Sequence, residues 1–223
     1  MVKIDLVDFW TTCSINNIVI DKKQMPAFER FYNELLYWND KINLISRKDL
    51  ENIYEHHFLH SLTILKYIDI KQRANCLDIG TGGGFPGIPL SIARPDLHLL
   101  LVDSIAKKIK ATSMFAAHTG NIHLSARNCR VEELHAEKDK VKSFDYVFAR
   151  AVTRTKSLLE WSKPLLKESG KVILLKGGNL AEEIAEAKAA FPAFKFEETA
   201  IDIIGCPWFK TEEKKILLCS KKQ

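Results

Sequence analysis

Residues 77–90, which read LDIGTGGGFPGIPL, constrain the fold more than any other part of this sequence. A strand-like run over 76–79 leads directly into four glycines within 80–84, and Pro86 and Pro89 follow. Glycines are common where backbone must approach a ligand or adopt a positive φ. Prolines suit the first turn of a helix. Such a strand-to-helix turn presents free backbone N–H groups and the positive end of a helix dipole to a bound molecule. The stretch therefore predicts a nucleotide-type cofactor site.

Apolar segments alternate with helical segments from Ala74 onward, which predicts an α/β fold with a mostly parallel, doubly wound Rossmann-like sheet and helices on both faces. The predicted strands cover residues 76–79, 97–103, 122–126, 145–150 and 171–176, and the predicted helices cover 87–93, 106–118, 156–166 and 180–191. Two further strand candidates, 197–205 and 215–220, are separated by a loop too short for a parallel crossover. They predict a C-terminal antiparallel hairpin at the edge of the sheet.

The first part of the chain predicts helices only. Residues 5–15 are amphipathic, and Met25, Phe28 and Tyr32 recur at helical spacing behind Asp21, a candidate N-cap. We therefore predict two units, an N-terminal helical segment over residues 1–70 and a cofactor-binding domain over residues 71–223.

Composition excludes several classes of protein. The 223 residues suit one α/β domain with an accessory segment. No apolar run approaches the ~20 residues that cross a membrane. Asp5 and Asp8 interrupt the first apolar stretch, which argues against a signal peptide and for a cytoplasmic protein. Five scattered cysteines without a C-x-x-C pair favour buried thiols over disulfides or zinc. The net charge of +5 permits a nucleic-acid partner without requiring one.

The glycine-rich turn fits two cofactor signatures. Gly82, Gly84 and Gly87 satisfy the dinucleotide pattern G-x-G-x-x-G, whereas Gly80, Gly82 and Gly84, preceded by Asp78, satisfy the G-x-G-x-G turn of class I AdoMet-dependent methyltransferases. The helical lead-in and the C-terminal hairpin favour the methyltransferase. A third interpretation is a turn that only packs a helix against a strand.

Two later positions suit the two halves of a nucleoside. Asp103 ends the second predicted strand, where a carboxylate can accept hydrogen bonds from both ribose hydroxyls; alternatively it is the N-cap of the next helix. Arg130, Val131 and Glu132 follow the third strand, where adenine is bracketed in AdoMet enzymes. The alternative there is an ordinary loop in which Glu132 caps a turn.

Cations are predicted at the other side of the first strand. Arg150 and Lys176 end the fourth and fifth strands, whose carboxyl ends line the ligand crevice. A cation buried there requires an anion, which predicts a ligand-facing role. Three arginines add charge along the same rim, namely Arg127, Arg130 and Arg154. A solvated helix face is the better interpretation of Lys107, Lys108 and Lys110.

Three histidines invite a metal-site hypothesis, because His56 and His60 are four residues apart and His57 is beside them. The sequence has no H-E-x-x-H motif and places no acid as a third ligand. We therefore predict no metal and a packing or hydrogen-bonding role.

Taken together, these motifs resemble the bacterial small-subunit rRNA guanine-N7 methyltransferase family, RsmG, also called glucose-inhibited division protein B (GidB). The stretch LDIGTGGGFPGIPL resembles the family signature at nearly every position, and residues 37–44, 130–133, 149–152 and 175–177 resemble further family segments. The likeness runs from about residue 30 to residue 180. Gly83, where relatives often have another small residue or proline, and His60, where many have aspartate, are departures.

The resemblance implies an AdoMet-binding methyltransferase domain over residues 71–223, with S-adenosyl-L-methionine as cofactor. It also implies that the partner is 16S rRNA or the small ribosomal subunit (or its precursor), and we expect a monomer. Family cofactor contacts fall on Gly80, Phe85, Val131, Glu132 and Arg150. The full predicted cofactor site is Gly80, Gly82, Gly84, Phe85, Asp103, Val131, Glu132 and Arg150.

The implied reaction needs positioning rather than proton transfer. Guanine N7 carries an in-plane lone pair and no proton, so in-line methyl transfer requires no general base. The predicted catalytic residues are therefore positioning groups, Arg150 and Lys176, with Lys176 meeting a phosphate or O6. Because N7 faces the narrow major groove of A-form RNA, the guanine must lie in a loop or be splayed out into the pocket, where it would stack on a planar group such as Phe85 or the Arg150 guanidinium.

Two other functions stay open at this point. An NAD(P)-dependent dehydrogenase would use the same glycines. An RNA-binding or ribosome-assembly factor would retain the turn without using it.

Overall fold

A computed structural model describes residues 5–222 of the chain. We argued above that the N-terminal stretch is not a signal peptide. The first four residues of that stretch lie outside the described range. Within 5–222, none of the helices combines the length and the apolar character that a membrane crossing requires.

The N-terminal part is helical, and each start has a local cause. Its helices are α1 (Leu6–Ile15), α2 (Met25–Ile42) and α3 (His60–Tyr67), with 3-10 turns at Lys22–Gln24 and Arg47–Asn52 and a π-helical turn at Tyr54–Leu59. The Asp5 carboxylate accepts hydrogen bonds from the N–H groups of Val7 and Asp8, both at 2.8 Å, and caps α1. The expectation for Asp21 is corrected: it caps the short 3-10 turn ahead of α2 rather than α2 itself.

The rest of the chain forms a seven-stranded sheet in the order β3-β2-β1-β4-β5-β7-β6. The strands are β1 (Asn75–Ile79), β2 (His98–Asp103), β3 (Leu124–Asn128), β4 (Phe144–Arg150), β5 (Leu166–Gly177), β6 (Phe194–Ala200) and β7 (Lys214–Lys221). The first five strands pair in parallel, and β7 pairs antiparallel with both β5 and β6. This confirms the predicted mostly parallel, doubly wound α/β fold with a C-terminal hairpin.

The helices of this part are α4 (Gly87–Ala93), α5 (Ala106–His118), α6 (Thr155–Ser162), α7 (Ala181–Ala190) and α8 (Trp208–Thr211). Several predicted boundaries were wrong, including the start of β5, which lies at Leu166 rather than at residue 171. Helix α6 ends at Ser162 because Pro164 follows and cannot continue the hydrogen-bond ladder. Strand β3 starts at Leu124 rather than at Ile122, whose side chain is 90% exposed. Strand β6 lies earlier than predicted, and α8 occupies the expected loop before β7.

Apolar clusters cover both faces of the sheet. On one face, Phe28 and Phe58 from the N-terminal helices are buried in the same cluster as Leu99 and Phe148 from the strands. On the other face, residues such as Leu159 of α6 form a second cluster. All five cysteines are buried. The division into residues 1–70 and 71–223 stays a prediction, and the helical segment shares its core with the sheet.

Candidate active site

Two cavities open at the carboxyl ends of the parallel strands, where the strand order reverses around β1. The β2-side cavity, about 290 Å³, lies by the ends of β1 and β2. The β4-side cavity, about 450 Å³, lies between the ends of β1, β4 and β5 and the N-terminal helices. Both are lined by Gly80, Gly82, Lys108 and Ala151, so they meet at the glycine turn. A ligand crevice is expected at such a reversal of strand order.

Gly80 and Gly84 are required by the backbone of the turn. Gly80 has φ +66°, and a Cβ there would lie 2.6 Å from Cγ2 of Val152. Gly84 has φ +98°, and a Cβ there would collide with the Ile88 side chain. Gly84 lines neither cavity, so its predicted cofactor contact has no support in the geometry. Packing of α4 against the turn accounts for this glycine.

Several of the turn amides are not free, contrary to our expectation. The Gly82 N–H donates to Oδ2 of Asp103 at 2.9 Å, and the Gly87 N–H donates to Oδ2 of Asp78 at 3.0 Å. The Gly84 N–H donates to the Thr81 carbonyl at 2.9 Å. Two carboxylates of the protein therefore occupy the places at which we expected ligand oxygens.

Asp78 is the more deeply buried of these two carboxylates. Its Oδ2 also accepts a hydrogen bond from the Thr81 hydroxyl at 2.7 Å, while its Oδ1 is buried without a partner among the described residues. Burial raises the pKa of Asp78 to about 7, although the hydrogen bonds from Thr81 and Gly87 favour the charged form. Asp78 ties the turn to the start of α4.

Asp103 lines the β2-side cavity. Its Oδ1 accepts from the Ile105 N–H at 2.8 Å and its Oδ2 accepts from Gly82, which leaves further lone pairs on both oxygens. It is not the N-cap of α5, because that position is Ile105, which makes no side-chain cap. The ribose contact stays a prediction that this geometry permits.

Val131 and Glu132 line the same cavity at the start of the 3-10 turn Val131–Ala136. Val131 is buried and Glu132 is exposed. The turn is closed by Glu133, whose Oε1 accepts from the Arg130 N–H at 2.8 Å, and not by Glu132 as the alternative interpretation held. Glu132 thus has no capping role and faces the cavity.

Arg150 joins the end of β4 to the π-helical turn. One guanidinium nitrogen donates to the His56 carbonyl at 3.2 Å, and another donates to Nδ1 of His57 at 2.8 Å. Arginine offers donors only, so Nδ1 of His57 must accept, and the proton of neutral His57 resides on Nε2. Burial and the Arg150 charge lower the pKa of His57 to about 4. His57 is therefore uncharged at neutral pH.

Phe85 lines the β4-side cavity but is only 2% exposed. Its ring packs against Phe31, at 5.3 Å between ring centres, and against His57 at 5.1 Å. The guanidinium carbon of Arg150 lies 4.7 Å from the centre of its ring. A target base therefore cannot stack on Phe85 in this arrangement, which corrects one of our two suggestions.

Lys176 lines the same cavity, but its charge is already paired. Nζ lies 2.6 Å from Oε1 of Glu183 and 2.8 Å from the Thr153 carbonyl, and the side chain is 13% exposed. The argument that this cation awaits a ligand anion is therefore wrong. Two of the rim arginines are also paired: Arg127 with Glu137, and Arg154 with Glu182 and Glu186.

Lys108 corrects another expectation. Lys107 and Lys110 are exposed on α5 as predicted for a solvated face, whereas Lys108 is half-buried and lines both cavities. The spacing of the three lysines along α5 could not indicate that Lys108 lines the cavities. The residues that line them with Lys108 come from the turns after β1 and β4, which are remote in sequence.

The sequence did not single out three cavity residues, Asp49, Trp208 and Lys214. Asp49 Oδ1 lies 2.9 Å from Nδ1 of His56. The His56 ring stacks on Trp208, with 4.0 Å between centres and 13° between planes, and Lys214 Nζ lies 4.7 Å from the Trp208 ring. Asp49 precedes His56 by seven residues, about two helical turns, and this spacing was the signal available in the sequence.

The three histidines therefore pack against aromatic side chains and also line the β4-side cavity. His56, His57 and His60 all contribute to its wall. Among residues 5–222, no group of three His, Cys, Asp or Glu side chains is arranged to hold a metal ion.

Sequence comparisons place the chain among rRNA-modifying proteins. A family model described as rRNA small subunit methyltransferase G matches residues 24–208. Two relatives are named ribosomal RNA small subunit methyltransferase G. One, from Lachnoclostridium phytofermentans, is 38% identical over 91% of this chain and 83% of its own length. The other, from a Geobacillus species, is 34% identical over 97% and 91%, respectively.

Solved structures show the same fold at low sequence identity. A methyltransferase from Geobacter sulfurreducens superimposes with a TM-score of 0.56 at 14% identity, over 89% of both chains. A SAM-dependent methyltransferase from Aquifex aeolicus gives a TM-score of 0.52 at 12% identity, over 72% of this chain and 88% of its own. At this identity the likeness concerns the fold alone.

Proposed function

The chain belongs to the rRNA small subunit methyltransferase G family, and from that membership we propose that it transfers the methyl group of S-adenosyl-L-methionine to N7 of a guanine in 16S rRNA. The observation that carries the proposal is the pair of cavities meeting at Gly80 and Gly82. The β2-side cavity would hold the nucleoside half of the cofactor, and the β4-side cavity would hold the target guanine. The enzyme would act as a monomer, on rRNA or on the small subunit, in the cytoplasm where subunits are assembled.

The β2-side cavity fits the nucleoside half of the cofactor. Asp103 would accept hydrogen bonds from the ribose hydroxyls through its remaining lone pairs. Val131 would pack on the adenine, beside Glu132. The amino-acid half of the cofactor would pass Gly80 into the β4-side cavity. The position requires glycine, because even a Cβ there would collide with Val152. When bound, the cofactor supplies an electrophilic methyl group on a sulfonium, a good leaving group.

The protein's contribution to the reaction is the position of the base. N7 attacks with its own lone pair and loses no proton, so no side chain has to act as a general base. Arg150 keeps unused guanidinium donors beyond those bound to His56 and His57. We propose that one of them donates to O6, the guanine atom next to N7, and thereby orients the lone pair. Lys176, paired with Glu183, supports the wall and contributes no free charge.

Two measurements test the function. Small ribosomal subunits from cells lacking this gene are incubated with the full-length protein and tritiated AdoMet, and the labelled nucleotide is mapped by mass spectrometry. We expect one 7-methylguanine in 16S rRNA. Calorimetry should give binding of AdoMet and none of NADH. Binding of NADH instead would support the dehydrogenase, and binding of subunits without any transfer would support an assembly factor.

A further inference from the structure

The β4-side cavity is lined by a carboxylate that nothing in the proposed reaction uses. Asp49 lines the β4-side cavity from the 3-10 turn Arg47–Asn52, and its side chain is 32% exposed. Oδ1 bonds to Nδ1 of His56 at 2.9 Å. Oδ2 lies 3.6 Å from Nε2 of His57, beyond hydrogen-bond distance. A carboxylate has about four lone-pair sites, and most of those of Asp49 are therefore available.

The surrounding groups hold Asp49 in one charge state and one orientation. The imidazoles of His57 and His56 keep the pKa of Asp49 well below its usual range, so it is an anion at neutral pH. Arg150 fixes the proton of His57 on Nε2, the nitrogen that faces Oδ2. His57 Nε2 is buried and has no hydrogen-bond partner among the described residues. A partly exposed anion with spare acceptors on a cavity wall indicates that a polar ligand completes this wall.

We propose that Asp49 selects the target base by accepting hydrogen bonds from N1–H and N2–H of the guanine. This assignment rests on the proposed function and names the residue that makes it specific for guanine. Among the four RNA bases, guanine alone offers two adjacent donors on its Watson–Crick edge, and an extruded base is commonly read on that edge. Adenine would turn the N1 lone pair toward the carboxylate, which is repulsive.

The assignment is consistent with the other walls of the cavity. N7 belongs to the ring that lies away from N1 and N2, so a guanine held at Asp49 would point N7 away from that carboxylate, into the cavity that Gly80 and Gly82 also line. O6 lies between the two edges and would meet Arg150, which lines the same cavity and is bonded to His57 beside Asp49. Asp49 would then bind N1–H and N2–H of the guanine, Arg150 would bind O6, and N7 would remain free to accept the methyl group.

The first test uses the unmodified protein. Small subunits are reconstituted with ligated 16S rRNA that carries either guanosine or inosine at the mapped methylation position. Inosine keeps N1–H, O6 and N7 and lacks only the 2-amino group. We expect kcat/KM for inosine to be about tenfold to a hundredfold lower, the loss that follows from one hydrogen bond to a charged group. Equal rates on the two substrates would overturn the assignment.

The second test compares Asp49→Asn with Glu51→Gln, which removes an exposed negative charge from the same 3-10 turn. We expect Asp49→Asn to methylate guanosine about a hundredfold more slowly, to bind AdoMet unchanged by calorimetry, and to discriminate guanosine from inosine by about threefold or less. Glu51→Gln should behave like the wild type. If Asp49→Asn keeps the wild-type discrimination, Asp49 only orients the histidines and the assignment is wrong.

Failure of the proposed function would look different. In that case the wild-type protein would not methylate even the guanosine-bearing subunits, and both conclusions would fall. If Asp49→Asn does not fold, the comparison of inosine with guanosine on the wild type still decides the matter.

Discussion

Arg150 is the residue through which the sheet and the N-terminal helices build a common site. Its guanidinium reaches from the end of β4 to the carbonyl of His56 and to the ring of His57, and it covers the face of Phe85. A planar group with a fixed fork of donors is needed for this set of contacts. Lysine is a point charge on a flexible stem and does not offer this fixed, planar fork of donors.

We therefore predict that Arg150→Lys lowers kcat/KM for methyl transfer by about a hundredfold, the usual scale for losing one positioned donor in an active site. Methyl transfer to small subunits is measured with tritiated AdoMet, and far-UV circular dichroism checks the fold. Arg154→Lys is the matched control, because Arg154 is exposed and paired with Glu182 and Glu186. Equal turnover by Arg150→Lys and wild type would remove Arg150 from the site.

His57 predicts how stability depends on pH. Its pKa is about 4 in the folded protein, through burial and the Arg150 charge, and about 6.5 in an unfolded chain. As pH falls from 6.5 toward 4, the unfolded chain takes up the proton first, so the free energy of unfolding decreases. Between pH 7 and pH 5 this contribution amounts to about 2 kcal/mol.

The contribution can be isolated with His57→Gln, which has no titrating ring. Urea unfolding of both proteins at pH 7 and pH 5 gives two differences in the free energy of unfolding. Subtracting the variant cancels other groups that titrate in the same window, including Asp78. We expect the advantage of the wild type to shrink by about 2 kcal/mol at the lower pH. An advantage that is the same at both pH values would mean that His57 titrates normally.

At the scale of elements, the glycine turn and α4 behave as one unit. The helix is buried throughout, and its first turn is held by Asp78 through the Gly87 amide. Gly84 enters this unit with a positive φ and no room for a side chain beside Ile88. The two cavities thus depend on a turn whose geometry is maintained by internal packing and hydrogen bonds.

Gly84→Ala should therefore destabilise the protein more than Gly120→Ala. Both glycines have positive φ, but a Cβ at Gly120 would meet nothing within 4 Å. The left-handed backbone costs alanine about 1 kcal/mol at each position, and overpacking adds about 1–3 kcal/mol at Gly84. Chemical denaturation of the two variants measures the difference. Equal losses would show that the Ile88 contact relaxes freely.

The sequence predicted the strands and helices well where the deciding residues are neighbours along the chain. The alternation of strands and helices, the turn at residues 77–90 and the short link before β7 were sufficient for the sheet and its hairpin. They failed where the decisive partner is remote in sequence. Glu183 pairs with Lys176 from α7, and Trp208 approaches His56 from 152 positions further along the chain. A single sequence contains no period or motif that joins such residues.

At the scale of the whole molecule, the positive charge is unevenly balanced. Some arginines and lysines of the surface have acidic partners, as Arg127 does with Glu137, and others have no ion pair within the described range. Among the cations that line the cavities, Lys108 and Lys214 have no ion-pair partner within residues 5–222. These two side chains form a positive rim at the cavities of a chain whose net charge is +5. Such a rim suits the phosphates that flank an extruded nucleotide.

We predict that Lys108→Gln and Lys214→Gln each weaken binding to small ribosomal subunits and flatten its salt dependence. Each phosphate contact contributes about 0.7 to 0.9 to the slope of log K against log salt concentration, because binding releases the condensed counterions. Fluorescence anisotropy over a series of KCl concentrations gives the slope. Arg154→Gln is the control, since its charge is already paired with Glu182 and Glu186 and its loss should leave the slope unchanged. Lys176, paired with Glu183, should behave like Arg154. A flatter slope for the paired cations, with no change for Lys108 and Lys214, would place the RNA on another face of the protein.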